Sequence, residues 1–327
     1  MRERRKMTKP YEEIRFKGTD EEVRAQWLAS RRLGIGGSDA AAIMGMSKYA
    51  TPLTVWMEKT GRSVPEDISG KPAVYWGSVL EDVVAKEYAK RHPELKVRRL
   101  NAVMVSKEHP FMRASVDRVV TDANGRKGIL ECKTAGLMRA GDWEDGIPDY
   151  YVPQPIHYLA VSGFEFYSVA VLIGGQDYRE YTFERDQEDI DLLIESEEAF
   201  WKMVEGDVMP APTGSREDGA ALASAYLDAS DPVAMADSDI PELAAYAAAK
   251  EAADRANDAK DAAANALKSA IGEAKSVETP LYKATWVRSE ATRLDQKALK
   301  KEYPKVYEKF LTTSVRDGGI RLTRKEN

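Results

Sequence analysis

The chain contains 327 residues, of which 43% are hydrophobic and 31% are charged, as in a folded protein with one large domain or two ordinary ones. It has no run of about 18 apolar residues, so the sequence predicts no membrane span. No apolar stretch follows the basic start MRERRKMTKP, which therefore does not resemble a secretory signal. The single cysteine excludes an intrachain disulfide framework and a multi-cysteine metal site, and we expect a cytosolic protein. Because the net charge is −6, any bound nucleic acid would have to meet locally concentrated positive charge.

The N-terminal segment predicts an arm, a helix and a glycine-rich loop. Residues 1–18 predict an irregular, flexible arm, and Thr19–Glu22 matches a capping box that opens a helix. Residues 31–39, RRLGIGGSD, place Ser38 to cap a short helix over Asp39–Met44. A helix start behind glycines and beside arginines is typical of a phosphate site. The alternative is a plain loop-to-helix junction with exposed arginines.

Two further helices follow. Thr51-Pro52 predicts a helix start, and Gly61 predicts its end. A longer helix is predicted from Pro72 to about His92. Glu81 lies on the apolar stripe of that helix, and an inward-facing carboxylate there needs a cation, either an arginine or a metal ion. The alternative is an ordinary exposed glutamate.

The middle of the chain predicts strands with helices on either side. Strands are predicted at about 97–105, 111–121, 127–134, 165–173 and 178–184, and helices at Tyr150–Ser162 and about 186–206. This order predicts an α/β (α+β) fold, in which a mixed central sheet is flanked by helices.

The stretch 115–133 carries the chemistry. It contains two strand-like runs joined by the turn signal DANG, with Asp117 on the first run and Glu131 and Lys133 on the second. Residues i and i+2 of a strand share a face, so Glu131 and Lys133 project together and the hairpin can bring Asp117 beside them. Two carboxylates can bind Mg²⁺ or Mn²⁺, and the lysine can hold a water molecule or an anionic oxygen. The alternative is an exposed cross-strand ion pair.

The C-terminal third is less informative. Residues 207–241 predict a linker, and residues 242–327 a mostly helical region. The alanine-rich stretch 244–274 predicts a strong helix that serves either as a solvated spacer or as an assembly helix. The basic and aromatic residues near the end could meet DNA, although a solvated basic face is the more ordinary interpretation.

Five segments, in this order along the chain, resemble one family. They are RRLGIGGSDAAAIMG, WGSVLE, SVDRV, ILECK and YYVPQPIHYLAV. Over residues 25–205 the chain is similar to the lambda-exonuclease, or YqaJ-type, viral recombinase nucleases. The resemblance implies a restriction-endonuclease-like PD-(D/E)XK core at residues 19–206, followed by an α-rich C-terminal extension.

The resemblance also implies roles for individual residues. Asp117 and Glu131 match the metal-binding carboxylates, and Cys132 takes the position whose backbone carbonyl is a metal ligand. Lys133 matches the lysine that positions the attacking water. Glu81 corresponds to the family's helix glutamate near the metal ions, and Gln154 corresponds to the glutamine that arranges the active site. A pocket for a 5′-phosphate corresponds to Arg32, Ser38 and Ser115, with the adjacent Arg31 as an alternative to Arg32.

The function implied is a Mg²⁺- or Mn²⁺-dependent 5′→3′ exonuclease that hydrolyses linear double-stranded DNA with free ends in phage-type recombination. The family also implies a single-strand annealing partner, a ring-shaped homo-oligomer and a cytoplasmic location in a bacterium or a phage-infected host, away from membranes. The alternatives are a nonspecific or restriction-like endonuclease of the same fold, and a non-catalytic DNA-binding or assembly protein.

Overall fold

The computed structural model describes residues 9–64, 67–227, 240–312, 319, 320 and 322. The chain forms two compact units, Met1–Tyr226 and Leu227–Asn327. The helices of the first unit are α1 (Asp20–Arg32), α2 (Gly37–Ile43), α3 (Pro52–Lys59), α4 (Pro72–Arg91), α5 (Pro153–Ser162), α6 (Gln187–Glu205) and α7 (Arg216–Ala225). Its strands are β1 (Tyr11–Ile14), β2 (Ile35–Gly36), β3 (Lys96–Arg98), β4 (Val103–Ser106), β5 (Met112–Ala114), β6 (Arg118–Thr121), β7 (Lys127–Ala135), β8 (Phe166–Ile173) and β9 (Asp177–Glu184). Two 3₁₀ helices lie at Leu137–Trp143 and Asp149–Tyr151.

The first unit is organised around a mixed five-stranded sheet. Its order is β3-β6-β7-β8-β9, with β7 and β8 parallel and the other neighbours antiparallel. Helix α4 packs on one face, where Val84 and Tyr88 meet Leu130 and Ala170. Helices α5 and α6 cover the other face over a larger apolar cluster. The predicted mixed sheet flanked by helices is confirmed.

A second sheet holds the start of the glycine-rich loop. Its order is β1-β4-β5-β2, and the two-residue strand β2 runs parallel to β5. The strands predicted at 97–105 and 111–121 are therefore wrong as single elements, because each divides between the two sheets. Pairing partners distant in sequence decide where a strand changes sheets, and local alternation does not contain that information.

The prediction of an irregular arm at 1–18 is wrong for residues 11–14. These residues form β1, which pairs antiparallel with β4. Tyr11 is buried and packs edge-on against Phe164, with ring centroids 6.1 Å apart. Four residues are too short a run for alternation to identify a strand. Residues 1–8 lie outside the described part of the chain.

The predicted linker at 207–241 also contains structure, since α7 occupies residues 216–225. Asp218 is buried, accepts a hydrogen bond from the hydroxyl of Thr51 at the start of α3, and accepts another from Thr213 Oγ1 at 2.7 Å. A composition rich in Ala, Ser and Asp resembles a linker, but one buried carboxylate anchors this helix. Residues 228–239 lie outside the described part of the chain.

The second unit is built from α8 (Pro241–Ile271), the β10–β11 hairpin (Ser276–Glu278 and Lys283–Thr285), α9 (Gln296–Glu302) and α10 (Pro304–Lys309). Helix α8 coincides with the predicted alanine-rich helix, and Ile271 is its only buried residue. Among the described residues, no helix is long and apolar enough to cross a membrane.

Candidate active site

The site lies where β6 begins and β7 passes the middle of the sheet. Arg118 of β6 is paired with Leu130 of β7. Because the two strands are antiparallel, the residue before Arg118, Asp117, lies opposite the residue after Leu130, Glu131. Along β7, Leu130 packs on the α4 side and Ile129 on the α5 side. Since side chains alternate along a strand, Glu131 projects towards α5.

Asp117 is fixed by the backbone of β7. Its Oδ2 accepts a hydrogen bond from the Cys132 backbone N–H at 2.8 Å. Burial raises the pKa of Asp117 well above its ordinary value, and the neighbouring charge of Glu131 raises it further. A pair of buried carboxylates that repel each other in this way favours a bound cation.

Glu131 and Lys133 share one face of β7, as their spacing predicts. Lys133 Nζ donates to Glu131 Oε1 at 2.7 Å and to Gln154 Oε1, from α5, at 2.9 Å. Burial lowers the pKa of Lys133, but the charge of Glu131 and this hydrogen bond outweigh burial, so the pKa is raised. Lys133 therefore stays an ammonium group that donates hydrogen bonds.

Gln154 bridges the strand and the helix. Its Nε2 donates to Glu131 Oε1 at 2.7 Å and to the hydroxyl of Tyr158, one turn further along α5, at 2.9 Å. The backbone of Gly37 lies directly against this pair, because a Cβ at residue 37 would be 2.8 Å from Tyr158 Cζ and 3.1 Å from Gln154 Cγ. The glycine-rich loop thus packs against the residues that orient Glu131.

One observation indicates that Asp117 and Glu131 suit a divalent cation. Glu131 Oε2 is buried and has no hydrogen-bond partner among the described residues, while Oε1 is occupied by Lys133 and Gln154. A buried carboxylate oxygen without a partner needs an explanation, and an ion is one. No group of three His, Cys, Asp or Glu side chains able to hold a metal ion occurs in the described ranges. An ion would therefore use Asp117 and Glu131 with backbone or water oxygens.

Cys132 and Glu81 occupy different positions around this centre. The Cys132 side chain packs on the α4 side of the sheet, and burial raises its thiol pKa, so the thiol is no nucleophile. Glu81, on α4, pairs with Arg118 Nη1 at 2.6 Å, and more loosely with Arg99 at 3.5 Å. Of the two cations that the sequence allows for Glu81, the structure shows an arginine. The negative charge of Glu81 also contributes to the raised pKa of Asp117.

A cavity of about 690 Å³ opens beside Asp117. Of the residues predicted for a phosphate pocket, Arg31, Ser38 and Ser115 line it, as do Glu81 and Gln154. Arg32 is exposed and does not line this cavity.

The prediction that Ser38 caps the short helix α2 is wrong, because the helix begins at Gly37 and Gly36 occupies the N-cap position. Asp39 is buried, accepts from the Gly36 N–H at 3.0 Å, and pairs with Lys59 at 2.6 Å and with Arg31 at 3.2 Å. Ser38 accepts instead from Arg31 Nη2 at 2.7 Å. Of the backbone N–H groups here, Asp39 thus bonds only that of Gly36, and no side-chain cap is present at the start of α2 among the described residues.

Sequence analysis missed Arg113 and Tyr158, which line the cavity. It also missed residues that hold the lining in place, namely Asp39, Lys59, Arg118, His157 and Glu197. One signal for Arg113 exists: in RASVD, residues 113, 115 and 117 alternate with buried Met112, Ala114 and Val116. Residues 113, 115 and 117 all line the cavity. No sequence signal identifies the others, since their partners are distant along the chain.

The fold and this site define a mixed α+β protein, in which a central sheet flanked by helices carries the carboxylates and the lysine. An alkaline exonuclease from Laribacter hongkongensis is similar, with 18% identity and a TM-score of 0.46 over 56% of this chain and 94% of that chain. A phage-related exonuclease from Haemophilus somnus is similar with 15% identity and a TM-score of 0.42, over 56% of this chain and 98% of that one.

Sequence comparison identifies the family. Residues 26–165 match the YqaJ-like viral recombinase domain. The protein YqaJ of Bacillus subtilis (strain 168) is 38% identical over 309 residues, which cover 93% of this chain and 95% of the relative. The chain belongs to the YqaJ-like viral recombinase family, and the predicted family resemblance is confirmed.

Proposed function

We propose that this chain is a metal-dependent 5′→3′ exonuclease that degrades linear double-stranded DNA during phage-type recombination. The observation that carries the proposal is the unpartnered, buried Oε2 of Glu131, beside Asp117 and within the reach of Lys133. Family membership supports a role in recombination, because the family is described as viral recombinases.

Each residue of the site has a physical task in phosphodiester hydrolysis. Asp117 and Glu131, with the Cys132 carbonyl that the family resemblance implies, would hold Mg²⁺ or Mn²⁺. A divalent cation at such a site lowers the pKa of water and neutralises charge that develops on the phosphate. Lys133, protonated through its raised pKa, orients a water molecule or donates to an anionic oxygen.

The neighbouring residues keep these groups in place. Gln154 holds both Glu131 and Lys133, so the carboxylate and the ammonium keep a fixed relative orientation. Arg31, Ser38 and Ser115 line the adjacent cavity, where they would receive a terminal 5′-phosphate. Binding the end of the strand there would position the first scissile bond beside the carboxylates. Such contacts to phosphate carry no base information, so cleavage should be largely independent of sequence.

The test is release of mononucleotides from linear duplex DNA in Mg²⁺, with closed circular DNA as a second substrate. Lys133→Ala should abolish release. Lys127→Ala, at the exposed start of the same strand, should leave it unchanged. Ends blocked at the 5′ or 3′ terminus establish the polarity.

Other outcomes select other functions. Cutting of closed circular DNA would instead support an endonuclease of the same fold. A wild-type protein that binds DNA without degrading it would support a non-catalytic role. The annealing partner and the ring-shaped homo-oligomer stay predictions, and light scattering of the purified chain tests the oligomer.

A further inference from the structure

Four arginines line the cavity beside Asp117, and they differ in how their charge is compensated. Arg24 pairs with Asp67 at 2.9 Å, Arg31 with Asp39 at 3.2 Å, and Arg99 with Glu81 at 3.5 Å. Arg113 has no carboxylate partner within the described ranges, and its hydrogen bond is to a neutral group, the hydroxyl of Ser30, at 2.9 Å from Nη1.

The remaining edge of the Arg113 guanidinium is unused. Nε is buried without a hydrogen-bond partner, and the described residues supply none for Nη2 either. These two nitrogens form the edge that donates two parallel hydrogen bonds to a phosphate. Burial lowers the pKa of Arg113, as expected for a cation that lacks a counter-ion. A half-buried, uncompensated cation in a cavity is stabilised when an anion enters.

The fold keeps this side chain close to the glycine-rich loop. A Cβ at Gly34 would clash with the backbone oxygen of Phe111, and it would lie 2.9 Å from Arg113 Nε, so glycine is needed where the loop passes both groups. The arginine backbone is fixed as well, between β4 and β2 in the second sheet. Its carbonyl accepts a hydrogen bond from His157 Nε2 at 2.9 Å, and His157 Nδ1 bonds to Glu197 at 2.8 Å.

The geometry points to Arg113 as a further residue that receives the terminal phosphate of the DNA strand, together with those already proposed for this pocket, and so sets the preference for 5′-phosphorylated ends. This inference rests on the proposed function. Residues 113, 115 and 117 occupy alternate positions and line one cavity, so a phosphate on Arg113 and Ser115 lies on the same side of the chain as Asp117. Arg31 shares the carboxylate of Asp39 with Lys59, whereas Arg113 faces no carboxylate at all among the described residues.

The experiment compares duplexes with 5′-phosphate and 5′-hydroxyl ends for wild type, Arg113→Gln, Arg113→Lys and Arg126→Gln. The last is a control arginine on the β6–β7 hairpin, outside the cavity. Binding is measured by fluorescence anisotropy in Ca²⁺, and degradation in Mg²⁺. Arg113→Gln should lower the affinity for 5′-phosphate ends about 10- to 100-fold and leave that for 5′-hydroxyl ends nearly unchanged, because a charged hydrogen bond is lost. Arg113→Lys should restore part of the difference, since lysine keeps the charge but not the fork.

An equal loss for both ends in Arg113→Gln, or the same loss in Arg126→Gln, would overturn the assignment. If thermal unfolding shows that Arg113→Gln does not fold, the comparison of wild type with Arg113→Lys decides. The assignment is also overturned if wild type binds both kinds of end equally, or if Arg113→Lys keeps the full wild-type preference for 5′-phosphate ends. The proposed function fails separately, when wild type shows the binding preference but no Mg²⁺-dependent degradation.

Discussion

The buried pair His157–Glu197 provides the sharpest test of how the site is supported. Neither side chain has exposed surface, and the two are joined at 2.8 Å. Burial alone lowers the pKa of His157, but the charge of Glu197 and the hydrogen bonds to Glu197 and the Arg113 carbonyl outweigh it, so the pKa is raised. The imidazolium is the form that can donate to both acceptors at once.

Removing Glu197 leaves this ring without its counter-ion. Loss of one partner of a buried ion pair costs about 3–5 kcal/mol, which corresponds to a fall in Tm of roughly 6–20 °C for a unit of this size. Glu197→Ala should show this loss. Glu197→Gln should lose about 1–2 kcal/mol, because its amide can still donate to Nδ1 of a neutral ring. Glu195→Gln, exposed on the same helix, should change stability by less than about 0.5 kcal/mol.

The dependence on pH follows from the direction of the shift. Because the folded-state pKa of His157 is raised above the ordinary 6.5, the contribution of its imidazolium is present below pH 6.5 and declines as the pH rises through the folded-state pKa. Burial also raises the pKa of Glu197, so the ion pair loses its negative charge at the acid end of the range. The stability difference between wild type and Glu197→Gln should therefore be greatest near pH 6 and shrink towards pH 9. Urea unfolding followed by tryptophan fluorescence measures it. A loss below about 1 kcal/mol in Glu197→Ala, or a difference that grows with pH, would refute this account.

Three further predictions concern other parts of the first unit. Gly37→Ala should displace Tyr158 and lower nuclease activity by at least about tenfold. Gly36→Ala should leave the activity nearly unchanged, because its Cβ would lie 3.7 Å from the nearest atom. Equal activity of the two variants would contradict the packing argument. Asp218→Ala should free α7 and destabilise the unit by about 1–3 kcal/mol, visible as faster proteolysis within 207–227, and unchanged proteolysis would argue against the anchor. EDTA should stop degradation of linear DNA and added Mg²⁺ should restore it, whereas activity that persists in EDTA would exclude metal dependence.

Short-range pattern accounts for the elements that sequence analysis located well. The capping box at Thr19 forms as predicted, with Glu22 returning to the Thr19 N–H at 2.7 Å. The proline at residue 72 opens α4, which ends at Arg91. Glu131 and Lys133 meet because residues two apart on a strand share a face. Each of these results depends on residues within one turn or one strand.

By itself, the sequence thus determined the family, the mixed fold and the pair Glu131–Lys133, since local periodicity and segment order specify them. Only the tertiary structure decided how the charges are paired: Glu81 meets Arg118, and Arg31 shares Asp39 with Lys59. Arg113 meets no carboxylate among the described residues. It also decided that part of the predicted linker folds as a helix. The physical reason is that pairing of charges and strands joins residues tens of positions apart, and a period of 2 or 3.6 residues shows which face a side chain occupies but not what lies opposite.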